Sequence, residues 1–195
     1  AKAALAQLPE NVPIDHTVFG LVSQSDSTTP YLARHVGHYA GVPINTPALT
    51  VNRLCGSGFQ AAVTASQEIK AGDAEVVLTG GTENMSMSPY TLHGVRFGNT
   101  RYGVDLKLAD SLAAALTDQV PVPNPMGITA ENLAEKYGIT REQCDQFALQ
   151  SQQRWAKGQE EGAFKDEIVP IEIKSKKGVD VFDTDEHPRP QVNMQ

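Results

Sequence analysis

Cysteine, basic charge and long apolar runs are scarce in this sequence of 195 residues. Its two cysteines, Cys55 and Cys144, belong to no CxxC motif, so neither a zinc site nor a disulfide framework is expected. Lysine and arginine number 16 against 23 acidic residues, and the net charge of -7 argues against non-specific binding of nucleic acid. No apolar run approaches the length of a membrane span. The composition therefore leaves small molecules and proteins as partners.

The two ends of the sequence differ from those of a complete protein. The first residues, AKAALAQL, are typical of the last turns of a helix, and the chain stops in the polar segment DEHPRPQVNMQ. We therefore expect these residues to be part of a longer chain. Hydrophobic residues make up 40% of the sequence and charged residues 20%, a balance that predicts a buried core.

Helix and strand patterns alternate through residues 1–84. Apolar, β-branched runs predict buried strands at residues 14–22, 47–52 and 74–81. The segments between these runs have the periodicity of helices, and Gly41 marks the end of the first one. This alternation predicts α/β layers around a buried sheet.

Residues 85–195 lack this alternation and are predicted to form a second domain. The proline-rich stretch TDQVPVPNPMGITA predicts a loop, and the short helix after it is predicted to have Thr129 as its N-cap and to end at Gly138. Further along, EIVPIEIK predicts an edge strand that forms a hairpin with VDVF.

Two of the predicted helices have an apolar face that we expect to be buried. In the helix at residues 57–70 this face consists of Phe59, Ala62, Val63, Ser66 and Ile69. In the helix that the capping box TREQ opens, it consists of Cys144, Phe147, Ala148, Ser151 and Trp155. Cys144 is therefore interpreted as a core residue without a catalytic role.

Cys55 stands at the junction of a predicted strand and a predicted helix, in the segment TVNRLCGSGFQ. Unpaired N–H groups and the positive end of the helix dipole both favour a thiolate at such a junction. Gly56 and Gly58 leave room for a ligand to approach. A thiolate here can attack a carbonyl or thioester carbon while nearby N–H groups hold the developing oxyanion. A buried structural cysteine is the alternative, and the residues alone leave both readings open.

The segment NRLCGSGFQA resembles the nucleophile segment of the thiolase family, whose members cleave or form 3-ketoacyl-CoA thioesters. Three further segments resemble thiolase segments in the same order: GDAEVVLTGGTENMSMSPY, PMGITAENLAEKYGITREQCDQFALQSQQRW and GAFKDEIVPIEIKSKKG. The resemblance covers essentially the whole chain, and it is closest to the 3-ketoacyl-CoA thiolases of mitochondrial β-oxidation.

This resemblance implies a thiolase fold, which is a layered α/β architecture of two similar βαβαβ-type halves. The present chain would hold the N-terminal half, with a core at residues 1–84 and an inserted α+β loop domain at residues 85–195 that covers the CoA site. The C-terminal half would be absent. Cys55 would be the nucleophile that carries the acyl group, and Met126 would line the channel for the pantetheine of CoA.

The resemblance also implies the ligands and partners. These are 3-ketoacyl-CoA, acetyl-CoA and CoA as substrates or products, with no metal and no redox cofactor, and further copies of the chain in a homodimer or homotetramer. The implied compartment is the mitochondrial matrix, or the cytoplasm if the source is bacterial. The implied reaction is thiolytic cleavage of 3-ketoacyl-CoA in fatty acid β-oxidation, which runs in reverse as a Claisen condensation.

The sequence departs from the thiolase pattern in two respects. Pro125 stands where acetoacetyl-specific members carry a histidine, which favours longer or mixed 3-ketoacyl chains. The family's catalytic histidine, second cysteine and water-positioning asparagine have no counterparts here, and Cys144 does not match the second cysteine. We therefore expect these 195 residues alone to be inactive. The alternatives are a β-ketoacyl synthase-like condensing enzyme and a non-catalytic protein of the same fold that binds acyl-CoA or lipid.

Overall fold

The chain forms two compact units, Ala1–Pro125 and Met126–Gln195, and the computed structural model describes residues 1–10, 12–98 and 100–194. The first unit thus includes residues 85–125 together with the segment of alternating helices and strands. The domain division that the sequence suggests after residue 84 stays a prediction.

A parallel three-stranded sheet forms the centre of the first unit. Strand β1 (His16–Gly20) lies between β2 (Ala48–Val51) and β3 (Val77–Gly81), and all but its first residue are buried. Helix α2 (Leu32–Ala40) connects β1 to β2, and helix α3 (Ser57–Ala71) connects β2 to β3. Parallel strands need such crossovers, so the carboxyl ends of all three strands lie along one edge of the sheet. The predicted layered α/β fold is confirmed.

The core of the first unit is built from apolar side chains of the sheet, of helix α2 and a short helix α1 (Lys2–Leu5), and of residues next to these elements. Helix α1 precedes the sheet, and α2 ends at Gly41, whose φ of 95° is a conformation that glycine adopts without strain. The buried members of the cluster are Ile14, Phe19, Ala33, Val42 and Leu78, and the side chains packed against them are Leu5, Leu32, Val36 and Val76.

The face of α3 that is buried differs from the predicted one. Ser57, Ala61 and Ala65 are buried, whereas Phe59 is 80% exposed. The same correction applies to the other exposed members of the predicted face, Ala62, Ser66 and Ile69. The physical reason is close approach, because small side chains at every fourth position let the helix lie directly on the sheet, which a face of Phe and Ile would prevent.

The remainder of the first unit consists of short elements that the sequence pattern did not predict. Strand β4 (Tyr90–Leu92) pairs with β5 (Leu108–Asp110) in an antiparallel ladder. Helix α4 (Ser111–Ala115) follows at once, capped by the Asp110 carboxylate, which accepts the N–H groups of the second and third helical residues. A two-residue ladder joins β6 (Thr117–Asp118) and β7 (Asn124–Pro125), in the stretch predicted as a loop.

The second unit contains two helices and a hairpin. Helix α5 (Met126–Tyr137) precedes α6 (Arg141–Glu160), and strands β8 (Ile171–Ser175) and β9 (Gly178–Phe182) form the predicted antiparallel hairpin. The predicted capping box is present, with reciprocal hydrogen bonds between Thr140 and Gln143.

Two expectations for this unit are wrong. Thr129 is not an N-cap, because α5 begins at Met126, directly where β7 ends, and Thr129 therefore lies inside the helix. Of the face predicted for α6, Cys144, Phe147, Ala148 and Ser151 are exposed, and none of the described residues of this helix is buried. Leu149 and Gln152, which lie outside the predicted face, are half-buried. The Oε1 atom of Gln152 accepts the backbone N–H of Arg189 at 2.7 Å.

Two features are absent from the parts of the chain that the structure describes. No helix in these parts is both long and apolar enough to cross a membrane. No cluster of three or more His, Cys, Asp or Glu side chains in them has a geometry suited to a metal ion.

Asp15 ties the beginnings of two sheet strands together. Its Oδ2 atom accepts the backbone N–H groups of Glu75, at 2.8 Å, and of Val76, at 2.9 Å. These bonds to Val76 and Glu75 hold the pKa of the Asp15 carboxyl below its usual value, because they stabilise the charged form.

We expect Asp15→Ala to lower the melting temperature at pH 7 and to have a smaller effect in acid. A carboxyl whose pKa is lower in the folded than in the unfolded chain stabilises the fold above the unfolded pKa of about 4. That stabilisation is lost as the pH falls through the folded pKa. Thermal unfolding followed by circular dichroism at pH 7 and below pH 4 measures the difference. The exposed Asp73→Ala is the control, and an equal deficit at both pH values would contradict the assignment.

Candidate active site

Cys55 lies in the short loop between the end of β2 at Val51 and the start of α3 at Ser57. It is exposed and forms no disulfide. The structure therefore places the thiol at the strand–helix junction that the sequence predicted, and the alternative of a buried structural cysteine is wrong. The N-terminus of α3 and the carboxyl edge of the parallel sheet meet at this point, which is a common place for ligands in α/β folds.

The residue before Cys55 has an unusual backbone. Leu54 has a φ of 51°, in the left-handed region, where an L-residue other than Gly, Asn or Asp is uncommon. The Oδ1 atom of Asn52 accepts the Leu54 N–H at 2.9 Å, which closes a local turn. Strained backbone of this kind is found at functional sites where the surroundings hold it in place.

The Ser57 hydroxyl closes the same loop from the other side. It accepts the N–H of Arg53 at 2.9 Å and donates to the carbonyl of Leu54 at 2.6 Å. Two backbone bonds add to this, from the Gly56 N–H to the Arg53 carbonyl and from the Ser57 N–H to the Leu54 carbonyl. The Arg53 guanidinium in turn donates to Oε1 of Gln60 at 2.6 Å. The cysteine loop is thus tied to the first turns of α3.

Glycines allow α3 to approach the ends of β1 and β3. A methyl group on Gly20 would lie 2.5 Å from the Ser57 carbonyl oxygen and 2.6 Å from the Gly58 nitrogen. A methyl group on Gly81 would lie 3.0 Å from the Cα of Gly58. Backbone atoms cannot move aside as the end of a flexible side chain can. The two glycines therefore determine how closely the N-terminus of α3 approaches the sheet.

Glu83 connects the loops that follow β1 and β3. One carboxylate oxygen accepts the N–H of Val22 at 2.9 Å, and the other accepts the N–H of Ser23 at 3.0 Å. Asn52 and Arg53 make hydrogen bonds within the cysteine loop and to α3, and Glu83 braces the neighbouring loops at the same edge of the sheet.

A cleft of about 410 Å³ opens beside Cys55. The glycines Gly20, Gly58 and Gly81 contribute to its lining, which is mainly apolar. The large apolar side chains that line it are Leu21, Val22, Leu54, Met85, Leu112 and Leu116. Among the described residues that line this cleft, Cys55 and Glu83 carry the titratable side chains. The cleft therefore offers a thiol and an apolar wall.

The sequence identified some of these residues and missed others. It named Cys55, Gly56 and Gly58, but it gave Ser57 no role. The left-handed Leu54 was also missed, and the one available signal was an asparagine two residues before it. Leu112 and Leu116 were missed because their segment has no helical period long enough to detect.

The other two residues singled out from the sequence lie in the second unit. Cys144, predicted to be core, is exposed on α6. Met126 is the first residue of α5 and is also exposed. Its role in binding CoA stays a prediction.

Comparison with known proteins assigns the family. The thiolase N-terminal domain profile matches residues 2–195. The mitochondrial 3-ketoacyl-CoA thiolase of Rattus norvegicus is 57% identical over 197 residues, which cover 100% of this chain and 49% of the relative. The chain thus spans about half the length of the curated relatives it matches.

Solved structures agree with this match. The crystal structure of human mitochondrial 3-ketoacyl-CoA thiolase superposes with a TM-score of 0.91 at 55% identity, over 98% of this chain and 48% of the human one. The human enzyme in complex with CoA gives a TM-score of 0.89 at 53% identity, over 98% and 47% of the two chains. The predicted fold, that of the N-terminal half of thiolase, is confirmed. On the profile match over nearly its whole length, this chain belongs to the thiolase family.

Proposed function

We propose that this chain carries the nucleophile of an acyltransferase that cleaves 3-ketoacyl-CoA to acetyl-CoA and a shortened acyl-CoA, in fatty acid β-oxidation. The observation that supports this most is the position of Cys55, exposed at the N-terminus of α3 and lining an apolar cleft. The relatives named mitochondrial 3-ketoacyl-CoA thiolase supply the substrate class.

In the proposed reaction the Cys55 sulfur, as thiolate, attacks the ketone carbon of 3-ketoacyl-CoA. The bond between that carbon and the carbon next to the thioester breaks, and acetyl-CoA leaves as its enolate, which takes up a proton. The acyl group stays on Cys55 as a thioester. The thiolate of CoA then attacks this thioester, and the Cys55 thiolate is released. The N-terminus of α3 stabilises negative charge that develops beside it.

The apolar wall of the cleft supports a fatty acyl chain as the transferred group. Leu112 of α4 and Leu116, the C-cap of that helix, line the same cleft as Cys55 together with Met85. A wall of this kind binds methylene groups by the hydrophobic effect and does not recognise a polar substituent. It fits the preference for longer or mixed chains that Pro125 suggests.

The partners and the compartment are part of the same proposal. CoA is the second substrate, as the complex of the human relative with CoA suggests, with Met126 beside its pantetheine. Residues 1–84 would be the catalytic core, and residues 85–195 the domain that covers the CoA. We also infer a homodimer or homotetramer and a location in the mitochondrial matrix, the compartment printed in the names of the relatives.

Acetylation of the chain tests this proposal directly. The protein is incubated with acetyl-CoA, quenched in acid and mapped by peptide mass spectrometry. The same is done with a chimera in which residues 1–195 are joined to the C-terminal half of the rat relative. In the chimera we expect acetyl on Cys55 and none on Cys144, which is an exposed thiol in the same molecule. CoA binding without any acetyl on Cys55 would instead favour the non-catalytic alternative, and equal labelling of both thiols would contradict a dedicated nucleophile.

A further inference from the structure

Ser57 is a buried hydroxyl that the proposed acyl-transfer steps do not use. It is 4% exposed and lies two residues after Cys55, at the first position of α3. We propose that Ser57 is a positioning residue that holds the Cys55 thiol at the mouth of the cleft. This inference rests on the proposed role of Cys55 as the nucleophile.

The hydroxyl bonds to backbone on both sides of the strained residue. It accepts from the N–H of Arg53, before Leu54, and donates to the carbonyl of Leu54 itself. The Leu54–Cys55 peptide is therefore oriented by a side chain that is fixed in the core. A left-handed leucine is unfavourable in isolation, so its conformation must be enforced by such surroundings. Asn52 enforces it from the exposed side, through the Leu54 N–H.

Removal of the hydroxyl loosens this loop without unfolding the unit. In Ser57→Ala the backbone N–H of residue 57 still donates to the Leu54 carbonyl, as it does now at 2.9 Å. The Arg53 N–H loses its acceptor, and the peptide that leads to Cys55 is free to leave the left-handed conformation. The buried alanines Ala61 and Ala65 keep α3 on the sheet. The thiol then spends less time at the helix N-terminus, where its reactivity is highest.

The test compares the two thiols of one molecule. Iodoacetamide alkylates the native chain, and peptide mass spectrometry gives the rate constants at Cys55 and at the exposed Cys144. We expect Ser57→Ala to lower the ratio of these rates by about tenfold and Ser57→Thr, which keeps the hydroxyl, to restore it. Ser66→Ala, an exposed serine of the same helix, is the matched control and should leave the ratio unchanged.

Asn52→Ala provides a second route to the same result, because it loosens Leu54 from the solvent side. Asn52→Ala should also lower the ratio of the alkylation rates at Cys55 and Cys144. If Ser57→Ala does not fold, the result with Asn52→Ala is the one that tests the proposal. A ratio within twofold of the wild type in a folded Ser57→Ala chain, or in Asn52→Ala, would overturn the proposal, as would no recovery in Ser57→Thr. Alkylation needs no CoA chemistry. A failure of acetylation by acetyl-CoA with a normal alkylation ratio would therefore count against the proposed function and leave the role of Ser57 intact.

Discussion

Cys55→Ser is expected to lower thiolysis of 3-ketoacyl-CoA by roughly 10⁴-fold or more in the chimera with the C-terminal half of the rat relative. A serine hydroxyl is far less acidic than a thiol, so even with the acid/base groups that the C-terminal half supplies it provides little nucleophile at neutral pH. Among the described residues that line the cleft, the one carboxylate is that of Glu83, and both of its oxygens already accept backbone N–H groups. Glu83 is therefore not placed to compensate by activating a serine.

The measurement is the loss of 3-ketoacyl-CoA with time in the presence of CoA. Cys144→Ser is the matched control, because it removes the other exposed thiol, and it should stay within about twofold of the unmodified chimera. The 195-residue chain alone should show no turnover, because its sequence has none of the family's acid/base groups. A Cys55→Ser chimera that keeps more than a tenth of the activity, or robust turnover by the chain alone, would refute this assignment.

Gly20→Ala is expected to destabilise the first unit by about 3 kcal/mol. The added carbon would overlap three backbone atoms, which are the Ser57 carbonyl carbon, the Ser57 oxygen at 2.5 Å and the Gly58 nitrogen at 2.6 Å. Helix α3 can accept it only by moving away from the sheet, and this movement would carry the cysteine loop with it. Gly81→Ala should cost less, because its nearest contact is at 3.0 Å.

Chemical unfolding by urea, followed by circular dichroism, gives the free energies for this comparison. Gly127→Ala is the control, since nothing lies within 4 Å of the added carbon and the residue is inside α5. There the methyl group should stabilise the chain by about 0.5–1 kcal/mol, because alanine favours the helix over glycine. If Gly20→Ala were as stable as the wild type, the close approach of α3 to the sheet would not exist as described.

Much of the secondary structure follows from local sequence, because the responsible interactions are themselves local. The strands of the sheet are apolar runs, the start of α6 is a capping box, and the end of α2 is a glycine with positive φ. Each depends on residues within one turn or one strand of each other. The position of Cys55 between a strand and a helix can be predicted from the sequence for the same reason.

Which side chains are buried depends on residues that are distant in the sequence, so local periodicity does not predict the buried face of a helix. In α3, counting apolar positions selects Phe59, but the sheet brings Gly20 and Gly81 against the helix and thereby selects the face of Ser57 and Ala61. In α6, the predicted face is exposed at Cys144 and Phe147, and the hydrogen bond to the distant backbone of Arg189 is made instead by Gln152.

By itself, the sequence determined the alternation of helices and strands in the first unit, the position of the thiol, and the family through its motifs. The tertiary structure alone decided which face of α3 is buried on the sheet, and that Leu112 of α4 and Leu116 line the cleft beside Cys55. The physical reason is the separation along the sequence over which each kind of interaction acts. Backbone propensity and capping act over a few residues, whereas Glu83 meets Val22 across 61 positions, and only a folded chain brings such groups together.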